Sequence, residues 1–341
     1  MKISSLLFAA VCAAALSACT SADVRDNTNR DNTNEVSKTV YAMDTVMTLK
    51  AYGENAETAL KDAEEEIKQL DSSLRRGNPE SEIYKINANG SEEVSEETAV
   101  LISDALEICK STEGAFDISI APVMDLWGFY TKEFNVPAKE ELSHELSRVN
   151  YENISVDGNV VSVSSGTQLD LGGIAKGYLS GRIMDIFKND GVESGIISLG
   201  GNVQTLGTKT DGSEWKVAIQ NPDDDTYIGG VSVTDKAVIT SGGYQRFFEK
   251  DGKIYHHIID PKTGCPADSG IKSVSIVSDN GTLADGLSTA LFVMGLEKGT
   301  EYWRSHSGFD VIFMTDDNRI YITEGLKDVF ESELEYSVIT K

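Results

Sequence analysis

Residues 215–240 read WKVAIQNPDDDTYIGGVSVTDKAVIT. Apolar residues cluster at 215–219, 231–233 and 237–240, and the Asn-Pro-Asp-Asp-Asp and Thr-Asp-Lys segments between them supply turns. The spacing therefore predicts strands that follow one another with no helix between them. The same pattern continues upstream at 195–199 and downstream at 271–277. Two more strands, 311–315 and 319–323, flank an Asp-Asp-Asn turn, and 154–164 reads as a hairpin through Asp157-Gly158-Asn159. Residues 40–52 read as one further strand. Helical periodicity is read at 55–74, with Ala59, Ala63, Ile67 and Leu70 on one face, and at 96–110, 175–189, 282–294 and 298–305. Strands joined by hairpins predict an α+β fold with antiparallel sheets and packed helices. No Pro-rich linker and no fixed-period repeat interrupts residues 40–341, so the body reads as one folded unit of one or two lobes.

The chain has 341 residues, 40% apolar and 25% charged, which is enough for a large core and too apolar for disorder. Against 30 Lys and Arg stand 55 Asp and Glu, a formal net charge of -25. Such a surface repels phosphate backbones at long range, which argues against nucleic-acid binding. Any polyphosphate ligand must then be met by a metal ion or a placed cation.

Met1 and Lys2 precede an apolar run that ends in Leu16-Ser17-Ala18-Cys19. About 14 apolar residues after a positive start read as a signal peptide over residues 1–18, since spanning a bilayer takes about 20. The last four resemble a bacterial lipobox, which makes Cys19 the lipidated first residue of the mature chain. Residues 19–38 repeat Asp-Asn-Thr-Asn, hold almost nothing apolar, and read as a flexible polar tether. The expectation is a body over 39–341, exported and anchored to a membrane through lipid on Cys19, facing the periplasm or cell exterior. Cys109 lies in an apolar helical pattern and is expected to be a buried free thiol rather than a partner for Cys265.

There is no Gly-x-x-x-x-Gly-Lys-[Ser/Thr] loop, no Gly-x-Gly-x-x-Gly fingerprint and no His-Glu-x-x-His. With 4 His and 4 Cys in the whole chain, the usual zinc cages are disfavoured. Chemistry is concentrated in four segments. Asp170-Leu171-Gly172-Gly173-Ile174-Ala175-Lys176 ends a strand, turns on two glycines and starts a helix. Free N–H groups beside an ammonium make an anion site there, and Asp170 suits a ring N–H or a ribose hydroxyl. In the helix from Thr282, Thr282, Asp285 and Thr289 fall within about 60° of one another. One carboxylate between two hydroxyls is an all-oxygen set suited to Mg²⁺, although on spacing alone it also reads as a solvated face. In Tyr255-His256-His257-Ile258, adjacent residues of a strand face opposite ways, so one imidazole at most can serve a given site, as base or ligand contact. Gly200-Gly201-Asn202 and Thr240-Ser241-Gly242-Gly243-Tyr244-Gln245-Arg246 are strand ends followed by paired glycines, where backbone can approach a ligand closely.

Taken in order, these segments closely resemble the ApbE family of FAD:protein FMN transferases. The resemblance is carried by Ala42-Met43-Asp44-Thr45-Val46-Met47, Gly114-Ala115-Phe116-Asp117, Leu126-Trp127-Gly128-Phe129 and the 170–178 segment. It continues through Ser198-Leu199-Gly200-Gly201-Asn202, Thr240-Ser241-Gly242, 257–264 and 284–290, covering roughly residues 40–325. It implies an α+β, T-fold-like catalytic unit that binds FAD and Mg²⁺. The implied reaction moves FMN from FAD onto a threonine hydroxyl of an exported or membrane electron-transfer flavoprotein and releases AMP. By position, Met43, Ala115, Phe116, Asp117, Asp170, Lys176 and His257 are the implied flavin-nucleotide contacts. Asp285 and Thr289 are the implied metal ligands, with Gly173 and Thr282 contributing oxygens, and His257, Asp285 and Lys176 are the implied catalytic groups. Two departures stand out: Leu74 occupies a place where the family often has an aromatic residue, and Gly243 one that is often polar. Hydrolysis of FAD to FMN and AMP would use the same site with water as acceptor, and a flavin-carrying lipoprotein would need no metal.

Overall fold

In the computed structural model, which describes residues 34–341, nine strands form one continuous sheet whose spatial order is also their order in the chain. They are β1 (Glu35–Ala42), β2 (Thr45–Tyr52), β3 (Ser194–Leu199), β4 (Asn202–Leu206), β5 (Ala237–Gly242), β6 (Ile271–Ser278), β7 (Phe309–Thr315), β8 (Ile320–Thr323) and β9 (Tyr336–Ile339). Each pairs antiparallel with the next except β8 and β9, which run parallel. Among the described residues the seven α-helices are α1 (Ala56–Leu74), α2 (Glu82–Asn89), α3 (Glu96–Ser111), α4 (Ala121–Trp127), α5 (Lys139–Leu146), α6 (Ala175–Asn189) and α7 (Gly281–Ser305). The expected α+β class holds, and one sheet runs through the whole described body.

Alternation along the strands explains the layers. Ile239, Ile276, Val311 and Phe313 point into the main core with α1, α3, α6 and α7. Their neighbours Val238, Val277 and Ile312 point the other way, onto a three-stranded sheet built from Trp215–Gln220, Tyr227–Val233 and Phe330–Glu331. Residues 215–240 therefore fold as the cover of the larger sheet and one of the strands beneath it. A further three-stranded sheet (Ser91–Glu93, Ile154–Asp157, Val160–Val163) and a hairpin (Phe247–Lys250 with Lys253–His256) complete the body.

The structure differs from the sequence expectation at the N-terminal end. Residues 40–52 are not one strand: the chain reverses at Met43 (φ 48) and Asp44 (φ 58), pairing Ala42 with Thr45. Two consecutive left-handed residues make the tight hairpin turn that matches strand twist. Met-Asp lacks the glycine that usually marks such a turn. β1 also begins at Glu35, so residues 35–38, expected in the tether, are the outer strand of the sheet. The signal peptide, Cys19 and most of the tether lie outside the described residues, among which no helix is long and apolar enough to cross a membrane. Cys109 is a buried free thiol, as expected, and Cys265 is exposed and also free.

The two helices expected at 282–294 and 298–305 are one run broken at Gly295 (φ 79, ψ 177), where the left-handed glycine kinks it. Leu287, Leu291, Ala284, Asp285 and Ser288 are all buried, so α7 has no solvated face over this stretch. It lies between the sheet and α6, and that position overturns the reading of its polar residues as solvent-facing.

Candidate active site

Asp170 ends an extended segment that runs beside Ile118–Ile120 and is held by Asp170 N–H donating to Ile118 O at 2.7 Å. Its Oδ1 accepts from the Gly172 N–H at 2.8 Å, closing an Asx turn that swings the chain into α6. Lys176 falls in the first turn of that helix and Gly177 next to it. A Cβ on Gly177 would lie 2.2 Å from Gly281 O and 2.5 Å from the Asp285 Cβ, so glycine alone lets α7 come this close. The approach brings Asp285 onto the open end of α6. Its Oδ2 accepts from the Gly177 N–H at 2.8 Å, and its Oδ1 from Asn202 Nδ2 at 3.0 Å. Asn202 opens β4 after the left-handed Gly200 and Gly201. Three segments separated by 108 and 83 residues thus meet at one carboxylate.

Around Asp285 the polar groups are hydroxyls. Ser288 Oγ donates to Asp285 O at 2.8 Å, so Ser241 Oγ, 2.8 Å away, donates to Ser288. Thr289 Oγ1, 3.2 Å from Ser241 Oγ, then donates to it and keeps its lone pairs free. A Cβ on Gly173 would stand 3.1 Å from the Phe116 ring and 3.8 Å from Thr289 Oγ1, which places Gly173 between the two. Thr282 lies one turn before Asp285 and is 9% exposed; Asp285 is 4% exposed. Burial pushes the Asp285 carboxyl above the ordinary aspartate range, against the pull of the Lys176 charge and its two N–H donors. Among the described residues, neither Lys176 nor Arg246 has a carboxylate within 4.0 Å, and no three acidic, His or Cys side chains cluster as a metal cage. Any cation here must rest on one carboxylate, hydroxyls and backbone oxygens.

The two histidines divide as strand geometry requires. His256 turns into the body, its Nε2 3.1 Å from Ala267 O and its ring edge-on to Phe292. It also fills the space beside Gly243, where a Cβ would come within 2.9 Å of His256 Cδ2. That contact is the physical reason for a glycine at this place. His257 faces Lys176 and Arg246. Its Nδ1, 3.1 Å from Arg246 O, must carry the proton because a carbonyl only accepts, which leaves Nε2 as a bare acceptor. Desolvation first, then the Arg246 charge and more weakly Lys176, push the imidazole down to about 3, so it is neutral at pH 7. An aromatic corner of Trp127, Phe129, Phe248 and Tyr255 braces this loop, and Trp127 Nε1 donates to Gly264 O at 2.7 Å.

The remaining expected residues lie around this centre. Met43, in its left-handed turn, donates its N–H to Asp71 Oδ1 at 3.2 Å. Ala115 and Phe116 are buried beside the site. Asp117 Oδ1 accepts from Ser119 N (2.8 Å) and Oγ (2.6 Å), and Oδ2 from the Tyr151 N–H (3.2 Å), so this carboxylate shapes its own loop. Leu74 is 8% exposed and packs in the main core at the end of α1, so it does not face the site. The sequence pattern marks Asn202, Ser241 and Arg246 only as parts of glycine turns and does not single out Ser288. For the first three, a polar side chain next to a strand end was the available signal; Ser288, inside α7, carried none.

A profile of the ApbE family matches residues 43–313. The FAD:protein FMN transferase of Klebsiella pneumoniae is 34% identical over 265 residues, 75% of this chain and 82% of the relative. That of Treponema pallidum is 32% identical over 324 residues, 88% of this chain and 90% of the relative. Among solved structures, the ApbE protein of Thermotoga maritima superposes with a TM-score of 0.83 at 32% identity, covering 87% of this chain and 99% of that one. The flavin transferase ApbE of Vibrio cholerae gives 0.78 at 28% identity with the same coverage. Because the profile spans everything from the Met43 turn to the inner strand at Phe313, and the relatives align across most of their own length, the chain belongs to the ApbE family.

Proposed function

We propose that this chain moves FMN from FAD onto a threonine hydroxyl of an exported acceptor protein with the help of Mg²⁺, releasing AMP. Membership of the family makes the chain a flavin transferase that uses FAD; the metal, the threonine and the acceptor are the proposal. The observation that carries it is Asp285, a buried carboxylate held against the start of α6, with Lys176 in the same turn and hydroxyls alongside.

The donor set fits a hard divalent cation. An ionised carboxylate offers about four lone-pair sites, and two N–H bonds leave the rest of Asp285 available. Thr289, Thr282 and the Gly173 carbonyl would complete an all-oxygen set, and the missing side chain at Gly173 leaves the backbone open beside Thr289. When bound, Mg²⁺ would offset diphosphate charge and stabilise the departing AMP phosphate.

The chain's own residues supply the rest. Lys176 receives the diphosphate through its ammonium, because the neighbouring N–H groups of Ala175 and Gly177, expected to be free, are taken by Leu171 O and Asp285 Oδ2. Arg246 O fixes the tautomer of His257, which leaves Nε2 as the acceptor for the threonine proton. An arriving diphosphate would offset the Arg246 and Lys176 charges, which are the smaller part of the depression of His257, burial being the larger. We further propose that residues 1–18 export the chain and that lipid on Cys19 anchors it, which would place it beside acceptors outside the cytoplasm.

The test is to incubate the full chain with FAD and Mg²⁺, with and without a threonine-bearing acceptor peptide, and to weigh the products. An FMN-sized gain on the peptide threonine with free AMP is the expected result. Free FMN and AMP in the presence of acceptor would make the chain a FAD hydrolase, and intact bound FAD would make it a carrier.

A further inference from the structure

Arg76, just past α1, is a nearly buried cation that none of the preceding chemistry uses. Its side chain is 8% exposed. Nη1 and Nη2 hold Asp125 at 3.2 and 2.8 Å, and Nε lies 3.2 Å from Asp170 Oδ2. The guanidinium carbon sits 4.3 Å from the centroid of the Tyr130 ring. Burial opposes the charge of Arg76, and Asp170 and Asp125 outweigh it, holding the group above its ordinary range. Asp170 is thereby fixed at both oxygens, Oδ1 by the Gly172 N–H and Oδ2 by Arg76. The Tyr130 hydroxyl lies over Gly77, where a Cβ would come within 2.4 Å of it, so a glycine there leaves room for the ring. Tyr130 is nevertheless 38% exposed and, among the described residues, has no aromatic partner.

We infer that Tyr130 is a stacking surface for one of the planar rings of the dinucleotide substrate, and that Arg76 is the positioning residue tying this ring to Asp170. The inference rests on the transferase reading. A guanidinium packed on one face of a phenol holds the ring at a set angle and leaves the rest of it to stack. A carboxylate locked beside it accepts from a ring N–H or a ribose hydroxyl, so the pair reads a flat heterocycle at two points. Lysine cannot replace Arg76, because a point charge lacks the planar fork that reaches two carboxylates while lying on a ring.

The full chain is titrated with FAD, following flavin fluorescence, for the wild type, Tyr130→Leu, Tyr130→Phe and Arg76→Lys. Base–aromatic stacking predicts that Tyr130→Leu weakens FAD binding about tenfold with kcat within about twofold and an unchanged melting temperature. Tyr130→Phe keeps wild-type affinity because the ring, not the hydroxyl, acts. Arg76→Lys raises KM for FAD, and adding it to Tyr130→Leu costs less than the two separate effects combined. Competition by AMP and by FMN identifies the ring: whichever inhibitor Tyr130→Leu weakens is the one that stacks. Wild-type affinity in Tyr130→Leu overturns the inference, as does a Tyr130→Phe defect equal to that of Tyr130→Leu. Should Tyr130→Leu fail to fold, the Phe variant and the KM-against-kcat split in Arg76→Lys decide the question in its place. A wild-type chain that does not bind FAD would overturn the transferase reading and this inference with it.

Discussion

Replacing Gly177 with alanine tests the joint on which the site depends. The new methyl would stand 2.2 Å from Gly281 O, whereas ordinary contact begins at 3.4 Å, so α6 and α7 must part by about 1.2 Å. Both obstacles are backbone or Cβ atoms, which no rotamer change can clear. The parting stretches the 2.8 Å bond from Gly177 N–H to Asp285 Oδ2 beyond hydrogen-bond reach. Overpacking costs about 1–3 kcal/mol and loss of a hydrogen bond to a charged group about 1.5–3. In a body of this size that lowers the melting temperature by about 5–12 °C. Activity should fall further than stability, since misplacing a reacting group by about 1 Å costs on the order of a hundredfold. Gly181→Ala is the control: it lies on the same helix, nothing stands within 4 Å of its Cβ position, and the change should raise the melting temperature slightly with turnover intact. Calorimetry and AMP-release kinetics on both variants decide the matter. Wild-type melting and turnover in Gly177→Ala would refute the claim that close helix contact positions Asp285.

Asp285→Ala should lower AMP release by at least about a hundredfold at limiting Mg²⁺, because only hydroxyl and carbonyl donors remain; an unchanged Mg²⁺ titration would remove the carboxylate from the metal site. His257 is depressed from 6.5 to about 3, and His256 is also lowered, by burial first in each case. Below pH 6.5 the unfolded chain binds protons that the folded chain refuses, so stability should fall as pH drops from about 6.5 toward 3. Melting at pH 7 and pH 5 should show this loss, with a smaller loss in His257→Asn; parallel curves would contradict it. Trp127→Phe removes the 2.7 Å bond to Gly264 O and should cost about 1 kcal/mol, with a raised KM for FAD as the loop carrying His257 loosens.

Much of the local structure was legible because it is set by neighbours in the chain. α6 runs from Ala175 to Asn189 as its spacing predicts, and Gly295 marks the break in α7 where periodicity lapses. The Asp157-Gly158-Asn159 hairpin forms for the same reason, since a left-handed glycine (φ 56) needs no help from distant residues. The Met43-Asp44 turn was not legible. Methionine does not favour positive φ, and the conformation depends on strand pairing and on Asp71 from another element.

For the site, the amino-acid sequence determined the chemical inventory: one carboxylate among hydroxyls on a helix, a lysine after two glycines, and a histidine at a strand end. Its order of motifs also determined the family. Tertiary structure alone decided what those groups can do. The Thr282–Thr289 face reads equally well as a solvated helix surface until α6 and the sheet enclose it, because burial is a property of packing and not of spacing. Gly177 is an ordinary helical residue until Gly281 is found against it. Likewise Leu74 belongs to the core, while Arg76 and Tyr130 stand beside Asp170 through contacts between distant segments of the chain, which no local pattern encodes.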